Sequence, residues 1–175
     1  MNLEATLNRV SSDIDEVNAW ADNEYNKYFA KYFQGQVDLY NKLKDTKTQI
    51  PDTDLEWILS DLPMELFAVT EQLSKLKTAQ EVIKLHIKEV ESEYIKTSTV
   101  ESSETKKREA AAALTAEDKL LVSVYDSIIE RVTRQMTFSK ELIMSAKKIW
   151  DARRADGIPL PDIAFDTTKL PEYIK

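Results

Sequence analysis

The stretch from Leu62 to Tyr94, LPMELFAVTEQLSKLKTAQEVIKLHIKEVESEY, decides the fold. Leu62, Leu66, Val69, Leu73, Leu76, Gln80, Ile83, Ile87, Val90 and Tyr94 recur at alternating steps of four and three, and only Gln80 is polar. That spacing is one face of an α-helix, in the form that packs knobs into holes against another helix. Pro63 falls in the expected first turn, where a missing N–H costs little, with Ser60 or Asp61 as the cap. The expected helix covers about 62–98. It fades at Thr97-Ser98-Thr99-Val100, where β-branched and hydroxyl side chains compete with helix.

A second long helix is expected over 115–155. Thr115 stands at its N-cap, and Glu117 and Asp118 meet the positive end of the helix dipole. Two stripes then run at intervals of seven. One is Leu121, Ile128, Gln135, Leu142 and Ile149; the other is Val122, Ile129, Met136, Ile143 and Trp150. Tyr125, Val132 and Ala146 widen the face, so the helix is expected to touch more than one neighbour. Gly157 is a favoured stop just past Ala155.

Residues 99–114 link the two helices. Glu101 to Leu114 favours helix in composition but has almost no apolar period, so a short exposed helix and a mobile tip both stay open. The expected architecture is all-α: a long antiparallel, coiled-coil-like hairpin, each arm on the order of 50 Å at 1.5 Å per residue. A turn centred near residue 107 would put Gln80 and Gln135 in one layer, a buried polar pair able to fix register or oligomer state. One hairpin cannot easily bury both stripes, so their ten residues are the candidate oligomerisation face.

The rest of the chain frames this hairpin. Residues 1–50 form an N-terminal helical arm, one helix or a pair. Its seam is Leu3, Leu7, Val10, Ile14 and Val17, and Gly35 marks a kink. Trp20, Tyr25, Tyr28, Phe29, Tyr32, Phe33 and Tyr40 make it aromatic-rich. Pro51 ends the arm, and Asp52-Thr53-Asp54 opens a short helix within the hairpin region, 51–155. Residues 156–175, with Pro159, Pro161 and Pro171, read as an extended tail that docks through its apolar residues.

Composition excludes several function classes. The 175 residues include no Cys, one His and two Gly, with a formal net charge of −7. Disulfide, thiolate and multi-histidine metal chemistry is therefore out, as are phosphate-cradling glycine loops. No apolar run is long enough to span a membrane, and the N-terminus does not read as a secretory signal. A cytoplasmic, non-enzymatic protein without cofactor or metal is the expectation. His86 flanks seam residue Ile87 and belongs to no Glu-x-x-His motif, so it reads as structural or solvent-exposed rather than as a ligand.

Charge is unevenly placed. Residues 1–65 hold 6 basic and 13 acidic side chains, whereas 66–175 hold 18 of each. Between 131 and 154, Arg131, Arg134, Lys140, Lys147, Lys148, Arg153 and Arg154 face only Glu141 and Asp151. Such a cluster is a solvated helix face or a local polyanion site. Lys106, Lys107 and Arg108 at the tip, and Lys75, Lys77, Lys84 and Lys88 on the first helix, add to it. Aromatic and lysine residues also interleave over Tyr25–Phe33. They offer either a base-stacking platform or, at their three- and four-residue steps, helix core.

The segment Glu109–Arg154 resembles the UvsY-type recombination mediators and related small helical phage recombination proteins. The resemblance lies in Leu114-Thr115-Ala116-Glu117-Asp118-Lys119, then a long amphipathic helix ending in Lys147-Lys148-Ile149-Trp150-Asp151-Ala152-Arg153-Arg154. The preceding helix, about Leu62 to Tyr94, fits the same plan. The resemblance implies a homo-oligomer that binds single-stranded DNA and helps load a recombinase against a single-strand-binding protein. Lys84, Lys88 and the basic residues from Arg131 onward would be phosphate contacts. The alternative is a coiled-coil interaction or structural protein, such as a phage assembly or inhibitor protein, with no nucleic-acid role.

Overall fold

The computed structural model describes the backbone of residues 3–45, 50–99 and 103–157. Among these residues regular structure is entirely helical, so the chain is all-α. The order is α1 (Leu3–Tyr28), α2 (Ala30–Phe33), α3 (Gln36–Asp45), α4 (Asp52–Glu56), a π-helical turn (Trp57–Asp61), α5 (Leu62–Thr97), α6 (Glu104–Leu114) and α7 (Ala116–Ala155). The expected tail falls outside the described residues from 158 onward, as do the side chains of Leu3, Leu7 and Val10.

Local chemistry explains the breaks. Gly35 joins α2 to α3 with φ +79°, a left-handed conformation that glycine adopts without Cβ strain. Pro51 precedes α4, and its carbonyl accepts from the N–H groups of Asp54 and Leu55. Ser103 caps α6, its hydroxyl accepting from the Lys106 N–H at 3.3 Å. Gly157, at φ +69°, follows α7, which ends at Ala155.

The start of α5 differs from the expectation. Pro63 does not open a free helix end, because α4, the π-turn and α5 follow one another without a non-helical residue. Proline removes an N–H and its ring crowds the carbonyl four residues back. The widened turn just before it relieves that crowding: the Leu62 N–H bonds back five residues to the Trp57 carbonyl. Ser60 caps nothing here and donates to the Glu56 carbonyl at 2.8 Å.

Two compact units emerge. The first comprises residues 1–27 and 73–130, the second 28–72 and 131–175, so α5 and α7 contribute to both. In the first unit, Ala21, Tyr25, Leu73, Ile87, Ala111, Val124 and Ile128 are buried. Polar contacts join α5 to α6 and α7 there. Gln80 Nε2 donates to Asp126 at 2.7 Å and to the Val122 carbonyl at 3.3 Å. Glu91 accepts from Lys119 at 2.6 Å and from the Thr115 hydroxyl at 2.9 Å. Thr115 therefore turns its hydroxyl toward a carboxylate on α5 instead of capping α7.

These contacts correct the expected polar layer. Gln80 is buried, but its partner is Asp126; Gln135 belongs to the second unit. The contacts 80/126 and 91/115 do not share the midpoint near 107 that a Gln80–Gln135 layer requires.

The second unit packs Phe29, Phe33, Leu43, Ile50, Leu55, Ile58, Leu62, Leu66 and Val69 with Val132, Leu142 and Ala146. Tyr40 and Phe138 meet with ring centroids 5.3 Å apart, tilted at 55°. Gln36 and Ser139 are buried together, and the Ser139 hydroxyl donates to Gln36 Oε1 at 2.6 Å.

Candidate nucleic-acid interface

The basic residues singled out by sequence divide between the two units. Lys84, Lys88, Lys106, Lys107 and Arg108 belong to the first. Lys84 is half-buried and donates to Gln80 Oε1 at 3.1 Å and to Glu81 at 3.0 Å. Arg108 is paired with Glu104 at 2.6 Å. Lys88 and Lys106 are exposed and Lys107 is half-buried. A shallow groove along α5 passes Leu85, Lys88, Glu89, Glu93 and Lys96, two cations and two anions that cancel. Much of the positive charge of this unit is answered by acids of its own helices.

The second unit is different. Arg134, Lys140, Lys147, Lys148 and Arg154 are exposed on α7, against exposed Glu141 and Asp151. A separate stripe of the same helix carries Val132, Ser139, Leu142 and Ala146, all buried. The helix thus separates an apolar inner stripe from a cationic outer one. None of the ammonium groups of Lys140, Lys147 and Lys148 is held in an ion pair among the described residues. Arg131, half-buried, and Arg134, exposed, are both engaged within the chain.

Arg153 departs from the solvent-facing set expected from sequence. It is only 7% exposed. Its guanidinium pairs with Asp52 and donates to the Ile50 carbonyl at 2.6 Å. The planar fork of arginine suits this double task, holding a carboxylate and a buried carbonyl that follows α3 in sequence. Its charge is therefore spent inside the second unit.

The aromatic stretch resolves residue by residue. Tyr25, Phe29 and Phe33 are buried at four-residue steps and offer no face to a base. Tyr28 is exposed, and Lys31 Nζ lies 4.8 Å from the centre of the Tyr32 ring. Of the expected oligomerisation face, Ile128 and Leu142 are buried within the chain. Leu121, Val122, Ile129, Gln135, Met136, Ile143, Ile149 and Trp150 remain half-buried. His86 is exposed, and the described residues contain no grouping of His, Cys, Asp or Glu suited to a metal ion.

Among the exposed apolar residues that the sequence reading did not single out, one lies beside the cations of α7. Met144 lies outside both seven-residue stripes and is 59% exposed amid the cations of α7. Its signal was present: an apolar residue on the polar side of an amphipathic pattern. No family model, curated protein or solved structure matches the chain.

Two carboxylates among the described residues are shifted. Hydrogen bonds from Lys119 and Thr115 hold Glu91 below the ordinary carboxylate range. Partial burial, then the nearby Asp61 charge, pushes Glu65 up. No helix among the described residues is long and apolar enough to cross a membrane.

Proposed function

We propose that this chain is a non-enzymatic recombination mediator of the UvsY type that binds single-stranded DNA and assists recombinase loading in the cytoplasm of a phage-infected host. The observation that carries the reading is the set of exposed cations on α7 in the second unit, Lys140, Lys147, Lys148 and Arg154, against Glu141 and Asp151. Phosphate binding needs such cations in reach of solvent and little else. In this reading α5 and α7 form an antiparallel hairpin. Support comes from the order of the first unit's pairs, 80 with 126 and 91 with 115, in which one number rises as the other falls.

The mediator acts as a homo-oligomer, with the recombinase and a single-strand-binding protein as its other partners. Support for assembly comes from the stripe Val122, Ile129, Met136, Ile143 and Trp150, which keeps partial exposure at every position. The same stripe favours the second reading, a coiled-coil interaction protein without a nucleic-acid role.

The test is a titration of fluorescent single- and double-stranded oligonucleotides at two salt concentrations, after the mass of the protein is fixed by light scattering. Salt-sensitive binding that favours single strands supports the mediator. Failure to bind at low salt, by a properly assembled protein, overturns it in favour of the second reading.

A further inference from the structure

The geometry of α7 points to Met144 as a base-contacting residue, with Lys140, Lys147 and Lys148 around it as the phosphate clamp. This assignment rests on the single-strand-binding reading and says where discrimination between single and double strands arises. Residues three and four apart are neighbours on a helix surface. Lys140 is four before Met144, Lys147 three after and Lys148 four after, and all four side chains are exposed. The result is an exposed apolar tip among three ammonium groups, with two exposed acids nearby: Glu141, three before Met144, and Asp151, four after Lys147 and three after Lys148.

Each part has a distinct chemistry. Ammonium groups hold phosphates of any strand, single or double, and carry no preference between them beyond charge density. A thioether packs on the face or edge of an aromatic ring, and methionine serves as an apolar wedge in nucleic-acid contacts. In a duplex the base faces are hidden in the stack; in a single strand they are open. The exposed residues of this half of α7 include no aromatic side chain, so Met144 is the only exposed apolar group of size that they offer to a base. Complementarity between the three lysines and a polyphosphate backbone selects nucleic acid as the occupant over an apolar protein surface.

The experiment compares the full chain with Met144→Ala and with the double variant Lys147→Glu/Lys148→Glu. The probes are a labelled thymidine oligonucleotide, an abasic strand of equal length and a duplex. Position 144 is exposed and alanine favours helix, so Met144→Ala is expected to fold normally. It should weaken binding to the thymidine strand about two- to tenfold. Binding to duplex and abasic strand, and the salt dependence, should stay as in the parent. The double variant should lose affinity for all three probes.

Met144→Ala binding thymidine and abasic strands just as the parent does, while the double variant loses both, would overturn the base contact and leave the mediator reading intact. A smaller assembly mass for Met144→Ala would also overturn it, by placing the side chain in a protein interface. No binding by the parent chain removes both proposals together.

Discussion

Gln36 Oε1 and Ser139 Oγ lie 2.6 Å apart with both residues wholly buried. Gln36 spends its amide on the Tyr32 carbonyl at 2.9 Å, so its oxygen depends on that hydroxyl. Ser139 has one proton for two acceptors, since the Gln135 carbonyl is also within 2.8 Å. Ser139→Ala should therefore strand the Gln36 oxygen and cost about 1–3 kcal/mol by urea denaturation. Adding Gln36→Leu should recover part of that loss. A fully additive double variant would show that the two residues are not coupled.

Arg153 should prove structural. Arg153→Ala removes the guanidinium from Asp52 and leaves the Ile50 carbonyl without that donor. Because Asp52 is about half exposed, the expected loss is about 2 kcal/mol, below that for breaking a fully buried pair. At a temperature where both proteins are folded, oligonucleotide affinity should change by less than for Lys147→Glu/Lys148→Glu. A large affinity loss with unchanged stability would assign Arg153 to the interface instead.

The two shifted carboxylates act with opposite sign on stability. Glu91 is held low, so its contribution is present above the ordinary carboxylate value of 4.5 and fades as pH falls through the lower folded value. Glu65 is raised, so the folded state holds its proton longer than the unfolded chain does. Its penalty is full above the raised value and absent below 4.5. Glu65→Gln should thus stabilise at pH 7, with the gain shrinking toward pH 4.5. Glu91→Gln should destabilise at pH 7, with the loss shrinking as acid is added. Melting temperatures of both variants across pH 3–8 check the signs.

Gly35→Ala should destabilise by about 1–2 kcal/mol, because φ is +79° there and an L-residue pays for the left-handed region. An added Cβ would meet no atom within 4 Å, so the cost is backbone strain alone. A D-alanine at the same position should be tolerated, which a semisynthetic chain would show in thermal denaturation.

Salt dependence should report how many cations engage DNA. If Lys140, Lys147, Lys148 and Arg154 each neutralise one phosphate, the slope of log affinity against log salt should be about −3 for a single strand. Lys84→Glu and Arg108→Glu, which alter residues paired with Glu81 and Glu104, should leave that slope unchanged. A slope that falls on reversing Lys84 or Arg108 would move the contact to the first unit.

What the sequence determined by itself was the helical grammar. The four-and-three seam of Leu62–Tyr94 and the sevens of Leu121–Ile149 are local periodicities, and a local period reports a helix face wherever the helix goes. The end of α7 before Gly157 and the break at Gly35 were legible for the same reason, because each depends on one residue's own φ. Tertiary structure decided everything that depends on which segments meet. The chain carries seven cations between 131 and 154, and nothing local singles out Arg153. Its burial depends on Asp52, 101 residues earlier in the chain. The partner of Gln80, Asp126, lies 46 residues on, and no local period reports which residue of α7 comes beside it. Pro63 looked like a helix start until the preceding π-turn made room for it. Met144 carried an apolar label in the sequence, but only packing could leave it exposed among lysines, because burial is a property of the neighbours a fold supplies.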